Sequence, residues 1–401
     1  MLAAQKRTVG EVDLEATIVE LVARGEVKVP PYPAVAMRIG ELVRREDYGI
    51  GDLARLVASD QVLAADALRA ANSAFYSRGT PVTSLNTAIS RIGGKEVVRL
   101  AVASGLGGQV RKSGPLLALK RRVWLEAIAA AALAQELAKK RKVPDEEAFI
   151  CALLHDFGKM IALTCIEEIL DKQPAVKPRR LEHWLETTER FHVELGLVLA
   201  AQWRLPPLVS DVISLHHGDP SAAADARMVE IVAATDEVLG LLSDHIWLTA
   251  EELGTVKSLA PAECELVSRV VDRLPDFVAS FEVGAAAPSP SQSLIAAEAP
   301  EAFAAGPTSV SFPVDVVVNR NKVRYAATAI APKNLVVRGT APLPENVLME
   351  LSLGSLPPLT CWGTAKLSWS DKGAYAVLLQ PFAMSAGAQA AWKELAKRTI
   401  E

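Results

Sequence analysis

Histidine and aspartate recur in this chain where the surrounding sequence is apolar. Four of its six histidines, His155, His192, His216 and His217, fall in helix-like segments between residues 152 and 217. His155-Asp156 is a direct pair inside ALLHDFGKMIAL (152–163). Burying two polar side chains there is costly unless hydrogen bonds or a metal satisfy them. Neutral imidazole and carboxylate together suit a divalent cation such as Fe, Mn or Zn. Asp236 interrupts IVAATDEVLGLL (231–242) in the same way. Lys159 follows Asp156 by one turn, where it could face a phosphate held by such a metal. The plainer reading is a set of core and helix-end polar groups bonded to backbone.

Helices must position these groups. IGDLARLVASDQVLAADALRAAN (50–72) places Leu53, Leu56, Val57, Val62, Leu63, Ala67 and Leu68 three and four residues apart, one face of a helix at a time. Asp52 and Asp60 stand where N-caps are expected. VWLEAIAAAALAQELAKK (123–140) ends in Lys139 and Lys140, which suits the negative end of a helix dipole. HVELGLVLAAQW (192–203), LVSDVISLHH (208–217) and ARMVEIVAATDEVLGLL (226–242) continue the pattern, with Pro206-Pro207 as a break. This part is all-α.

The character changes at 283–309, which is rich in Ala, Pro and Ser and has no Lys or Arg. Such a stretch buries too little apolar surface to offset the entropy of ordering it, so a flexible linker is expected. Beyond it the period becomes two. FPVDVVVN (312–319), VRYAATAI (323–330), LVVRG (335–339), VLMELSLG (347–354), TCWGTAKLSWS (360–370) and AYAVLLQPF (374–382) read as short strands of a small antiparallel barrel. AQAAWKELAKRT (388–399) reads as a closing helix. The expected plan is a leader segment at 1–22, a helical domain at 23–282, the linker, and a barrel plus helix at 310–401.

Composition narrows the function classes. Half of the 401 residues are hydrophobic and 22% are charged, enough apolar content for large cores. With 43 basic and 47 acidic side chains the net charge is −4, which argues against a general nucleic-acid binder. Cys151, Cys165, Cys264 and Cys361 form no CxxC pair, so neither a disulfide scaffold nor a cysteine zinc site is expected. No apolar run is read as long enough to span a membrane. The start, MLAAQKRTVGEVDLEA, lacks the apolar stretch of a secretory signal. A cytoplasmic protein is expected. GGKE (93–96) is no phosphate loop. The arginines at 38, 44, 45, 69, 78, 91 and 99 read as solvated faces, and KRRV (120–123) as a helix end cap.

VPPYPAVAMRIGELV (29–43), DLARLVASDQVLAADALRAANSAFYS (52–77) and SLNTAISRIGGKEVVRLAVAS (84–104) resemble the HDOD domain, an all-helical regulatory relative of the HD phosphohydrolases. The resemblance continues through LLHDFGK (153–159), FHVELGLVLAAQWRLP (191–206), SLHHGDP (214–220) and AATDEV (233–238). It implies a signalling or scaffolding module acting through protein contacts. In catalytic HD relatives a metal set opens with a histidine about one helix before the His-Asp pair and closes with a later aspartate. Glu126 holds that opening position here, while His155-Asp156 and Asp236 match the rest. Similarity to the HD-GYP phosphodiesterases adds His192, His216 and His217 as ligands and Lys159 as a phosphate contact, although the GYP signature is replaced by HHGDP (216–220). The alternative reading is therefore a metal-dependent phosphodiesterase acting on a cyclic dinucleotide or related nucleotide.

The strands resemble a PilZ domain, a small barrel that often binds cyclic di-GMP through an R-x-x-x-R run before its first strand and a D/N-x-S-x-x-G turn after its second. Arg320 to Arg324 imitate the first motif but fall in the hairpin between strands one and two. The turn reads Ala329 to Asn334, without Asp, Ser or Gly. Those losses remove the bidentate contacts such a ligand needs. Cyclic di-GMP is thus the weakest of the three functional readings.

Overall fold

The computed structural model describes residues 14–45, 47–73, 75–76, 79–108, 114–172, 181–244, 248–281, 308–318, 321–331, 334–343, 348–355, 359–371, 374–382 and 386–397. The expected linker lies outside the described residues apart from Thr308 and Ser309, which open the first strand. Of the expected leader, residues 1–13 lie outside them too. The remainder belongs to helix α1 (Leu14–Ala23), whose Leu14 and Ile18 join the main helical core.

Then follow α2 (Ala34–Val43), α3 (Ile50–Ala58), α4 (Gln61–Asn72), α5 (Leu85–Ile92), α6 (Gly94–Leu106), α7 (Leu117–Arg141), α8 (Asp145–Leu154) and α9 (Phe157–Asp171). The helical part ends with α10 (Leu181–Gln202), α11 (Pro207–Leu215), α12 (Ala226–Asp244), the short α13 (Ala250–Leu253) and α14 (Cys264–Phe281). Asp60 caps α4 as expected, its carboxylate accepting from the Val62 and Leu63 amides. Asp52 does not cap α3. It sits one turn in and accepts from the Gly49 amide at 3.2 Å, because the chain enters this helix through Gly49. Asn72 locks the end of α4, exchanging 2.7 and 2.8 Å hydrogen bonds with the backbone of Val82.

Helix α7 begins six residues earlier than the apolar pattern predicts and is buried over most of its circumference. Alanines 129 to 132 keep its girth small, so neighbours approach from several sides. The segment 152–163 is not one helix: α8 stops at Leu154, His155 and Asp156 form a turn, and α9 starts at Phe157. The apolar residues on either side hide this break from a periodicity argument.

One expectation needs correcting. The stretch Asp145–Asp171 contains an 18-residue window apolar and uncharged enough to cross a membrane by length and composition. That window is 83% buried within the protein, which makes it core.

The strands are β1 (Thr308–Val318), β2 (Asn321–Ile330), β3 (Leu335–Gly339), β4 (Leu348–Leu353), β5 (Leu359–Asp371) and β6 (Ala374–Phe382), followed by α15 (Ala386–Lys397). They close an antiparallel barrel in the order β1-β2-β3-β6-β5-β4. Val314, Val316, Leu351, Cys361, Ala365, Val377 and Leu379 alternate inward to fill it. Trp392 and Leu395 of α15 join the same core, with Trp392 fully buried.

Candidate metal centre

Three helix ends and two helix faces converge around Asp156. His155 and Asp156 occupy the α8–α9 turn, and His216 and His217 follow the end of α11. His192 projects from α10 and Asp236 from α12. Close contact of α9 with α10 makes the convergence possible. A Cβ on Gly158 would overlap the His192 carbonyl oxygen and sit 2.7 Å from the Gly196 amide nitrogen. Glycine at 158 thus lets the first turn of α9 rest on the backbone of α10.

Backbone carbonyls fix three of the imidazoles. Nδ1 of His155 lies 2.7 Å from the Ala152 carbonyl, that of His192 2.6 Å from the Glu189 carbonyl, and that of His216 2.9 Å from the Ile213 carbonyl. A carbonyl can only accept, so each Nδ1 carries the proton and each Nε2 of a neutral ring presents its lone pair. These lone pairs meet the carboxylates. His192 and His216 Nε2 are 3.3 Å apart and lie 3.6 and 3.7 Å from Asp156 Oδ1. His155 Nε2 is 3.5 Å from both Asp156 Oδ2 and Asp236 Oδ1. His217 Nδ1 stands 3.7 Å from Asp236 Oδ2.

These gaps exceed ordinary hydrogen bonds of ~2.7–3.2 Å. The His192–His216 separation of 3.3 Å matches the edge of a tetrahedron, about 3.3–3.4 Å when each ligand atom is ~2.0–2.1 Å from a shared ion, and the others, at 3.5–3.7 Å, lie a few tenths beyond it. Nε2 of His155 and Oδ1 of Asp156 are buried with no hydrogen-bond partner, a costly state that an ion would relieve. Two donor groups emerge, Asp156/His192/His216/His217 and His155/Asp156/Asp236, each with its ligand atoms within 4.8 Å of one another. Asp156 belongs to both. The residues present therefore fit a divalent metal.

Electrostatics supports the same arrangement. Burial would raise the Asp156 carboxyl, but His155, His216, Lys159 and His192 outweigh it and hold the group well below the usual carboxylate range. Asp236 is likewise lowered against its burial, chiefly by His155. Burial lowers His192 and His217, favouring their neutral, ligating form. His155 moves the other way: Asp156 and Asp236 overcome its burial and favour its charged form, which holds no lone pair for an ion.

Lys159 reaches into the site, with Nζ 2.7 Å from Asp156 Oδ2 and 2.8 Å from Glu189 Oε2. The sequence reading missed Glu189. Its signal was the spacing, three residues before His192 on one helix face. Glu126 is not among the gathered donors. It lies on α7 and accepts a 2.8 Å hydrogen bond from Arg122 Nε.

In the barrel the described residues contain no comparable donor group. Arg320 lies outside them. Arg324 forks onto Asp315 across the β1–β2 pair, at 2.7 and 3.1 Å, and Lys322 approaches the same carboxylate at 2.8 Å. These cations are committed to a neighbouring strand.

Residues 29–219 match the HDOD domain family. An uncharacterized protein of Treponema pallidum (strain Nichols) is 25% identical over 221 residues, 53% of this chain and 42% of that protein. The chain thus aligns with less than half the length of this curated relative. Two solved structures share the helical fold, each with a TM-score of 0.50. An HDOD domain protein of unknown function from Geobacter sulfurreducens is 22% identical, covering 66% of this chain and 97% of that one. A presumptive metal-dependent phosphohydrolase from Shewanella amazonensis SB2B is 21% identical, covering 67% and 98%. With the helical fold, the shared motifs and the family match in agreement, the chain carries an HDOD domain over residues 29–219.

Proposed function

We propose that this chain is a cytoplasmic signalling module that works through protein contacts, with a divalent ion held in its HDOD core as part of the working fold. One observation carries the reading: His192 and His216, locked at Nδ1 by backbone carbonyls, aim Nε2 lone pairs at Asp156 Oδ1, which is buried without a hydrogen-bond partner. His192, His216, His217 and Asp156 would hold the ion. Lys159 balances the second oxygen of Asp156, and Glu189 steadies Lys159. His155, His192 and His216 are buried, so the arrangement favours a retained ion over an exchanging one. The four free cysteines fit a reducing compartment.

A second reading has its own support. Asp156 is shared by two donor groups, and a shared carboxylate is what two ions need to act on one phosphodiester. When bound, such ions supply Lewis acidity and a water deprotonated near neutral pH. Against turnover, the His155/Asp156/Asp236 group has three donors, and Lys159 already engages Asp156 Oδ2. Elemental analysis of purified protein, paired with assays of cyclic di-GMP and bis(p-nitrophenyl) phosphate under added Mn²⁺, tests both. Near-stoichiometric metal without turnover is expected. Turnover abolished by His155→Ala would replace the adaptor reading with the hydrolase, and a metal-free, inactive protein would remove both.

A further inference from the structure

The barrel and the helical half have separate cores, yet one barrel side chain belongs to neither side alone. Along β5, Cys361 and Ala365 face the barrel interior. Alternation turns Trp362 outward, and it packs half-buried against the helical core. Thr364 and its cross-strand partner Gln380 also face out, and both are buried. This face of β5 and β6 is therefore covered.

A bulge refines the aim. The β5–β6 register slips between Ala365 and Leu367, so Lys366 is the extra residue. Its ammonium lies within electrostatic reach of Arg122 and Glu126, the ion pair on α7. Burial and the Arg122 guanidinium oppose the charge on Lys366, and Glu126 partly offsets them. The half-buried Trp362 supplies an apolar anchor of the type that dominates interfaces.

We propose that the outer face of β5 docks the barrel on α7, with Trp362 as anchor and Glu126 offsetting the two cations Arg122 and Lys366. Glu126 then serves the contact between the two halves rather than the metal. Helix α7 packs along α8, whose end carries His155, so the contact sits one helix from the metal donors.

The test uses the full chain and three variants, Glu126→Lys, Lys366→Glu and the double exchange. Small-angle scattering reads the maximum dimension, hydrogen exchange reads 117–126 and 359–366, and elemental analysis reads metal. Glu126→Lys, which leaves Lys366 facing two cations, is expected to enlarge the molecule and speed exchange in both segments about tenfold, while Lys366→Glu, drawn to Arg122, keeps the docked dimensions and the double exchange restores them. Trp362→Ala should act like Glu126→Lys. Circular dichroism at unchanged helix content identifies an undocked rather than unfolded chain. Metal content should match across all variants. Unchanged dimensions and exchange in Glu126→Lys and Trp362→Ala would overturn the proposal, as would failure of the double exchange to restore the docked dimensions. Loss of metal in Glu126→Lys without enlargement would assign Glu126 to the ion instead.

Discussion

His192 Nε2 faces His216 Nε2 at 3.3 Å, while the Nδ1 of each ring is held by a carbonyl of its own helix. Two lone pairs at that distance repel unless a cation or proton lies between them. Removing either ring should therefore cost the metal. His192→Ala and His216→Ala are expected to drop metal content at least tenfold, whereas His183→Ala, outside the donor groups, leaves it intact. Equal metal in all three proteins would sink the assignment.

Gly158→Ala tests the packing that assembles the site. The new methyl would overlap the His192 carbonyl, so α9 must move away from α10. Overpacking of this kind costs about 1–3 kcal/mol. A lower Tm together with weaker metal retention is expected. A Tm loss with metal retained in full would separate the helix contact from the site.

Much of this was legible in the chain because burial imposes a period. The six strands alternate inward and outward around a closed core, and their predicted ranges differ from the observed ones by a few residues at the ends. The His-Asp donors stood out because a polar pair in an apolar run demands a partner. Charges used internally were not legible. Arg99 was read as solvated, yet it is buried between Glu96 and Asp145 and stacks 5.4 Å above Phe149. Lys120 and Arg121 were read as a helix end cap, but they are buried in the first turns of α7, with Lys120 paired to Glu167. A charge run carries no mark of a partner over forty residues away. Glu126 was placed with the metal donors by resemblance alone, and the structure pairs it with Arg122 instead.

Lys159→Met removes the cation beside Asp156 and keeps the bulk. Breaking a buried pair of this kind costs about 3 kcal/mol when no other cation takes over. The loss should be large in chelator-treated protein and small in metal-loaded protein. The Tm difference between those forms should therefore widen relative to the unsubstituted chain. If chelator shifts both proteins equally, Lys159 and the ion do not share Asp156.

The barrel should not bind cyclic di-GMP. Arg324 and Lys322 are spent on Asp315, where hydrogen bonds from Arg324 and then Lys322 hold the carboxyl below its usual range. Calorimetry of the full chain is expected to give no binding heat. A micromolar affinity that disappears in Arg324→Ala would show those cations to be free for phosphate.

Docking of the barrel should respond to alkali through Lys366. Burial first, and Arg122 second, lower its pKa from 10.5 to about 8, with Glu126 opposing them. The docked state therefore gives up its proton more readily than the undocked one, so docking gains stability as pH rises from about 8 to 10.5. The gain is fully present above the undocked value and is lost as pH falls through the docked value. Scattering between pH 7 and 10.5 should show the maximum dimension shrinking or holding as pH rises, most clearly in the loosened Trp362→Ala background. Lys366→Met should flatten that profile. An identical pH profile in Trp362→Ala with and without Lys366→Met would place the responsible group elsewhere.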